Sequence, residues 1–131
     1  MLNLNSIMIG TMQPKEMKDF YAKVLGKEPD WQDGNWCGWQ IGGTHLTLGE
    51  HDQMGGKAKD PGRTMFNFET SDVRGEFDRI KDVAGLEIVK EPYNPGEASE
   101  MLIATLADPD GNYFQLMSPM PENPSSSKKE S

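Results

Sequence analysis

The stretch Thr105-Leu-Ala-Asp-Pro-Asp-Gly-Asn-Tyr-Phe-Gln-Leu-Met117 decides how this chain folds. Asp108 opens a type I turn whose second position is set by the fixed φ of Pro109, and Gly111 takes the positive φ that closes a bulged hairpin. Two strands therefore meet here. Side chains alternate along a strand, so Phe114 and Leu116 point to one face while Tyr113, Gln115 and Met117 point to the other. The first face is apolar and belongs to a core. The second carries a glutamine at its centre and reads as the wall of a cavity or cleft.

The segments before this hairpin extend the pattern. Residues 63–70 read as a strand with Phe66 and Phe68 on one face and Met65, Asn67 and Glu69 on the other. Ser71 is the expected N-cap of a helix whose apolar stripe runs through Val73, Phe77, Ile80 and Val83 and stops at Gly85. Further strands are read over 86–91, 101–107 and 112–117. The first half of the chain follows the same order. Residues 4–12 form a strand with Ile7 and Ile9 opposite Ser6, Met8 and Gly10. Pro14 suits a first helical position, and Met17, Phe20, Tyr21, Val24 and Leu25 recur at helical spacing until Gly26. Three short strands follow between residues 29 and 49, separated by turns at Asp33-Gly34 and Gly42-Gly43. The last turns Leu46 and Leu48 one way and His45 and Thr47 the other. Residues 50–62 are polar and aperiodic, a linker or mobile loop. After Met117 no apolar content remains to bury, and 119–131 is expected to be a flexible tail.

The order strand, helix, three strands therefore occurs twice, over about 4–50 and 62–118. The expected fold is α+β: two βαβββ modules forming a cup-shaped mixed sheet with the helices outside, in one domain over 1–118. Alternation lines the cup with Ser6, Met8, His45, Thr47, Met65, Asn67, Glu69, Tyr113, Gln115 and Met117.

Composition narrows the function. With 131 residues the chain has the length of one domain. Its 21 acidic and 13 basic residues give a net charge of -8, which argues against a nucleic-acid partner, because affinity for phosphates rests on Lys and Arg. No basic region is followed by an apolar run, and no apolar stretch approaches the roughly 18 residues of a spanning helix. No membrane partner and a cytoplasmic location are expected. Cys37 is the single cysteine, so no internal disulfide forms, and no Cys/His spacing resembles a zinc site.

Three segments, in this order, carry a family resemblance: Phe20-Tyr-Ala-Lys-Val-Leu-Gly26, Ser71-Asp-Val73 and Asp108-Pro-Asp-Gly-Asn112. With the paired modules they make the chain resemble the vicinal oxygen chelate superfamily, which includes glyoxalases, bleomycin-resistance proteins and extradiol dioxygenases. The resemblance implies four pseudo-symmetric cup positions that hold His, Gln or Glu in the metal enzymes. Here they fall on Ser6, Thr47, Met65 and Gln115. Two hydroxyls, a thioether and one amide are poor ligands for the divalent ions concerned, so neither metal nor another cofactor is expected.

Trp31, Trp36 and Trp39 cluster at the first hairpin, where indole faces suit an aromatic ring or a cation. At least one is expected to face the cavity, and Trp39 joins the ligand-binding set. His45 beside Glu69 has the makings of a general base, against the plainer reading of a hydrogen-bonded histidine. His51 reads as a surface residue. No catalytic residue is assigned. The expectation is a metal-free, homodimeric protein that binds a small molecule, aromatic or cationic. The alternative is a glyoxalase-like metal-dependent lyase, isomerase or dioxygenase, its metal held by residues such as His45 and Glu69.

Overall fold

The structure, a computed structural model, describes residues 2–50, 57–96 and 100–119. His51 with the rest of residues 51–56 of the expected linker, and the segment 120–131, lie outside the described residues. The elements are β1 (Ser6–Thr11), α1 (Pro14–Leu25), β2 (Trp31–Asp33), β3 (Trp36–Ile41), β4 (Thr44–Glu50), β5 (Phe66–Glu69), α2 (Val73–Ile80), β6 (Glu87–Tyr93), β7 (Ile103–Ala107) and β8 (Tyr113–Met117). They form two βαβββ modules in an α+β fold. The strands make two four-stranded sheets, β1-β4-β3-β2 and β5-β8-β7-β6. In each, the first strand of the module runs parallel to the last, and the remaining pairs are antiparallel.

The pairing register fixes which side chains share a face. Ile7 pairs with Leu46 and Ile9 with Leu48 in the first module, as Phe66 pairs with Phe114 and Phe68 with Leu116 in the second. These apolar rows face the helices. Ile9, Leu46, Leu48, Phe114 and Leu116 are buried, and Ile7, Phe66 and Phe68 pack against them. Met8 with Thr47 and Asn67 with Gln115 occupy the opposite faces. A slip of one residue would have reversed every one of these positions.

The modules are tied on the helix side. No ladder joins β1 to β5, so the expected cup-shaped sheet is built as two separate sheets rather than one continuous one. Phe114 of β8 meets Phe20 and Tyr21 of α1 with ring centroids 6.1 Å apart in both pairs, and Phe68 at 5.7 Å. Burying a ring of this size is worth about 1.5–3 kcal/mol, so the first helix is held by the second module as well as by its own. Arg79 of α2 adds a polar tie, donating to the carbonyls of Lys23 at 3.0 Å and Val24 at 2.7 Å. Those carbonyls belong to the last turn of α1, which has no intrahelical donors left for them.

The turns behave as their residues dictate, with one change. Gly111 has φ 84° and its N–H donates to the Asp108 carbonyl at 2.8 Å. The α2 N-cap is Asp72 rather than Ser71: its carboxylate accepts the Gly75 N–H at 3.0 Å. A carboxylate reaches the first-turn donors as well as a hydroxyl does and adds charge that suits the helix dipole. The helix ends at Ile80, and Val83 packs on the core from the turn that follows.

Candidate functional site

Four of the expected cup residues come together in one cavity. His45, Met65, Asn67 and Glu69 line a space of about 570 Å³ with Ile7, Ile41, Thr44, Leu46, Phe66 and Phe68. The cavity lies at the seam where the start of β4 and its turn face strand β5, so both modules build it and both faces of these strands line it, the core-side Ile7, Leu46, Phe66 and Phe68 together with His45, Asn67 and Glu69 from the opposite face. Such a volume is in the range of about 300–1,000 Å³ typical of small-molecule sites. Its wall is mainly apolar, with an imidazole, a carboxylate and an amide as its functional groups. His45 Nδ1 lies 3.4 Å from the Asn5 carbonyl, and no hydrogen bond or ion pair joins His45 to Glu69.

The other expected residues sit on the same sheet faces but outside that cavity. Ser6 pairs with His45 across β1 and β4, and Met8 with Thr47. Gln115 Nε2 donates to Thr105 Oγ1 at 2.9 Å, and among the described residues its carbonyl oxygen has no donor. Met117 pairs with Ile103 and with Glu69. Tyr113 borders a shallower hollow with Asp60, Pro61, Gly62 and Arg63.

Trp39 departs from the expectation. It is fully buried at 0 % exposure, and its Nε1 donates to the Lys27 carbonyl at 2.9 Å. The cause is alternation along β3: Cys37 and Trp39 turn to the helix side, while Trp36, Gly38 and Gln40 turn the other way. The indoles that face away from the helices are Trp31 and Trp36, at 43 % and 41 % exposure. Each lies on a glycine. A Cβ at Gly38 would fall 2.6 Å from Trp31 Nε1, and one at Gly49 would clash with Trp36 Cζ3 and Cε3. The signal was present in the chain as Trp36-Cys-Gly-Trp39, where odd and even positions separate the two tryptophans.

Cys37 is free and buried, and burial pushes its thiol above the ordinary value, partly offset by Lys18. A thiol in such surroundings is a poor nucleophile.

The polar centre of the helix side is Asp108, which is 1 % exposed. Its carboxylate accepts the Tyr21 hydroxyl at 2.7 Å, the Asp110 and Asn112 N–H groups at 2.9 Å, and the Asn112 side-chain amide at 3.0 Å. Burial raises the Asp108 carboxyl above its ordinary value, while the hydrogen bonds from Tyr21 and Asn112 pull it back. Burial, and then the charge of Asp108, raises the Tyr21 hydroxyl well above its own. The phenol is therefore the donor and the carboxylate the acceptor.

These features define a two-module cup-fold protein. Over residues 3–116 the sequence matches the Glyoxalase/Bleomycin resistance protein/Dioxygenase superfamily, and the chain belongs to it. No curated protein sequence matches the chain. Among solved structures, a glyoxalase/bleomycin resistance protein from Albidiferax ferrireducens T118 is similar at TM-score 0.70 and 16% identity, covering 88% of this chain and 98% of that one. A glyoxalase-related enzyme from Fulvimarina pelagi gives 0.72 at 18% identity over 90% of this chain and 88% of its own. A glyoxalase/bleomycin resistance protein/dioxygenase family enzyme from Burkholderia phytofirmans PsJN gives 0.71 at 20% identity, over 89% and 98%. At these identities the likeness shows the fold.

The metal that the fold family implies does not fit these residues. Among the described residues no three His, Cys, Asp or Glu side chains are grouped so as to hold an ion. The register positions Ser6, Thr47, Met65 and Gln115 supply no carboxylate or imidazole. Neutral donors without a carboxylate leave the ion's charge uncompensated, and water competes successfully for it.

Among the described residues no helix is long and apolar enough to cross a membrane.

Proposed function

We propose that this chain is a small-molecule-binding protein of the glyoxalase/bleomycin-resistance type that works without the usual metal site. The observation that carries the reading is the cavity built by both modules, which offers apolar wall and a few polar groups and, among the described residues, no metal-ligating set. The Glu69 carboxylate, the Asn67 side-chain carbonyl and a ring nitrogen of His45 each offer a hydrogen-bond acceptor, which suits a ligand with an amine or other cationic donor. The acidic balance of the chain, -8 at neutral pH, agrees with this. The working form is a cytoplasmic homodimer of one glyoxalase-like domain.

The alternative is a glyoxalase-like metal-dependent lyase, isomerase or dioxygenase, and one observation favours it: His45 and Glu69 line the same cavity. Two such ligands fall short of the three protein ligands usual for catalytic zinc.

A thermal-shift screen with divalent metals and with flat or cationic small molecules separates the readings. A ligand present at 100 times its dissociation constant adds about 2.7 kcal/mol of stability. Stabilisation by organic cations and not by metals supports binding. Stabilisation by a metal alone, lost in Glu69→Gln or His45→Ala, supports the enzyme.

A further inference from the structure

We propose that the cleft between the start of α1 and the β2–β3 hairpin, on the helix side of the first sheet, is a binding site for a small oxyanion, a phosphate or a carboxylate. It shares no residue with the cavity between the modules, so it stands independently of the binding function proposed above.

Two elements build the cleft. Pro14, Lys15 and Lys18 of α1 line one side of it, and Gln32 and Asn35 of the hairpin line the other. Gln32 and Cys37 are cross-strand partners and share the face that turns to the helix. Cys37 closes the floor at 3 % exposure, and its thiol makes no hydrogen bond among the described residues. The enclosed volume is about 280 Å³, just under the roughly 300–1,000 Å³ of sites for drug-sized ligands, and it suits a smaller molecule.

The charge in the cleft decides the class of ligand. Lys27, Arg79 and Lys81 each pair with an acid three residues away, whereas Lys15 and Lys18 make no ion pair or hydrogen bond among the described residues. Lys18 is half-buried and close enough for its charge to act on the Cys37 thiol, which places its ammonium group toward the floor. No Asp or Glu lines the cleft, and the Glu50 carboxylate that accepts from Asn35 Nδ2 at 3.0 Å lies outside the lining. In a chain of net charge -8, two ammonium groups left together without a carboxylate reverse the local sign and attract an anion.

The helix adds to the same sign. Its N-cap residue, Gln13, makes no side-chain cap bond, and its amide donates instead to Asp110 Oδ1 at 2.6 Å. Pro14 carries no N–H, so the N–H groups of Lys15 and Glu16 are the first-turn donors left without an intrahelical acceptor. The positive end of the helix dipole therefore lies beside the two lysines.

Inorganic phosphate and malonate, titrated separately into the full isotope-labelled chain at constant ionic strength, test the site by amide NMR shifts. The expected result is saturable shifts centred on residues 15–18 and 32–37. Tighter binding of phosphate would mark the ligand as a phosphate, and tighter binding of malonate would mark it as a carboxylate. Lys15→Gln and Lys18→Gln should each weaken the tighter anion about fivefold, the order expected of one charge contact partly open to water, and Lys18→Arg should retain it. Gln32→Trp, on the exposed hairpin, fills the cleft without changing the charge and should abolish saturation. Lys23→Gln removes a charge from the same helix outside the cleft and should leave the affinity unchanged. Failure of both anions to saturate, or equal shifts with sodium chloride alone, would overturn the proposal. So would equal weakening by Lys23→Gln and Lys18→Gln, which general attraction to a basic helix explains. Shifts centred instead on His45, Asn67 and Glu69 would put the anion in the cavity between the modules, and the cleft would fail as its site.

Discussion

The hydroxyl of Tyr21 donates a 2.7 Å hydrogen bond to Oδ2 of Asp108, 87 residues further along the chain. It joins the first helix to the hairpin turn before the last strand, and so joins the two segments on which the family resemblance most depends. Gln13 Nε2 reinforces the contact by donating to Asp110 Oδ1 at 2.6 Å. The two motifs are therefore coupled in the fold: one supplies the buried phenol, the other the carboxylate that receives it.

Tyr21→Phe removes the donor and leaves Asp108 buried with one partner fewer. A hydrogen bond to a charged group contributes about 1.5–3 kcal/mol, and a loss in that range is expected. Urea denaturation should show a lower midpoint with an unchanged slope, since the exposed surface on unfolding is the same. An unchanged midpoint would mean that the bond is not formed in solution.

Asp108 also sets a pH dependence. Its folded-state value is raised above the ordinary 3.8, so the folded chain takes up this proton before the unfolded chain does. The stability gained by protonation is complete below 3.8 and is lost as the pH rises through the raised value. Asp108→Asn cannot titrate. The stability of the wild type relative to this variant should therefore increase as the pH is lowered across that window, measured as paired urea midpoints. A difference that shrinks on acidification would show that the hydrogen bonds outweigh the burial.

Arg79→Met should cost about 1–2 kcal/mol, more than Lys81→Met. Arg79 satisfies two terminal carbonyls of α1, whereas Lys81 makes only an exposed ion pair with Asp78 at 3.4 Å. Exposed pairs of that kind contribute about 0–1 kcal/mol. Equal thermal shifts for the two variants would show that Arg79 acts as a surface charge and not as a cap.

Elemental analysis of the purified protein after dialysis without chelator should find well under one zinc, nickel, manganese or iron per chain. One tightly held ion per chain, lost in Gln115→Ala or His45→Ala, would move the enzymatic reading to first place.

Light scattering at tens of micromolar should give the mass of a homodimer, because β1 and β5 each end their sheet and free edges invite pairing. Strand β6 is a poorer candidate for that contact, since its pairing with β7 is irregular on either side of Lys90 and bulges blunt an edge. A chain cut after Ser118 should remain a dimer. A monomer would overturn the assignment, and a dimer lost with the tail would overturn only the tail's exclusion.

Much of this protein was legible in the chain because its faces are set by local periodicity. Alternation along Tyr113-Phe-Gln-Leu-Met117 fixes Phe114 and Leu116 to the core whatever the neighbours are, and helical spacing does the same for Phe20, Tyr21 and Val24. Gly26 and Gly111 stand at positive-φ positions that close a helix and a hairpin, a backbone requirement that residue type alone reveals. Other features depend on which distant segments meet. That His45 shares a cavity with Asn67 and Glu69 and not with Gln115 follows from how one module sits against the other, which no local pattern encodes. The same is true of Asp108, which reads in sequence as a turn residue and becomes a buried acceptor only when α1 brings Tyr21 over it. The tryptophans show both sides: alternation separates Trp36 from Trp39, but only the pairing of β3 with β4 lays the indole of Trp36 on Gly49. Local geometry decides which way a side chain points, and tertiary packing decides what it meets there.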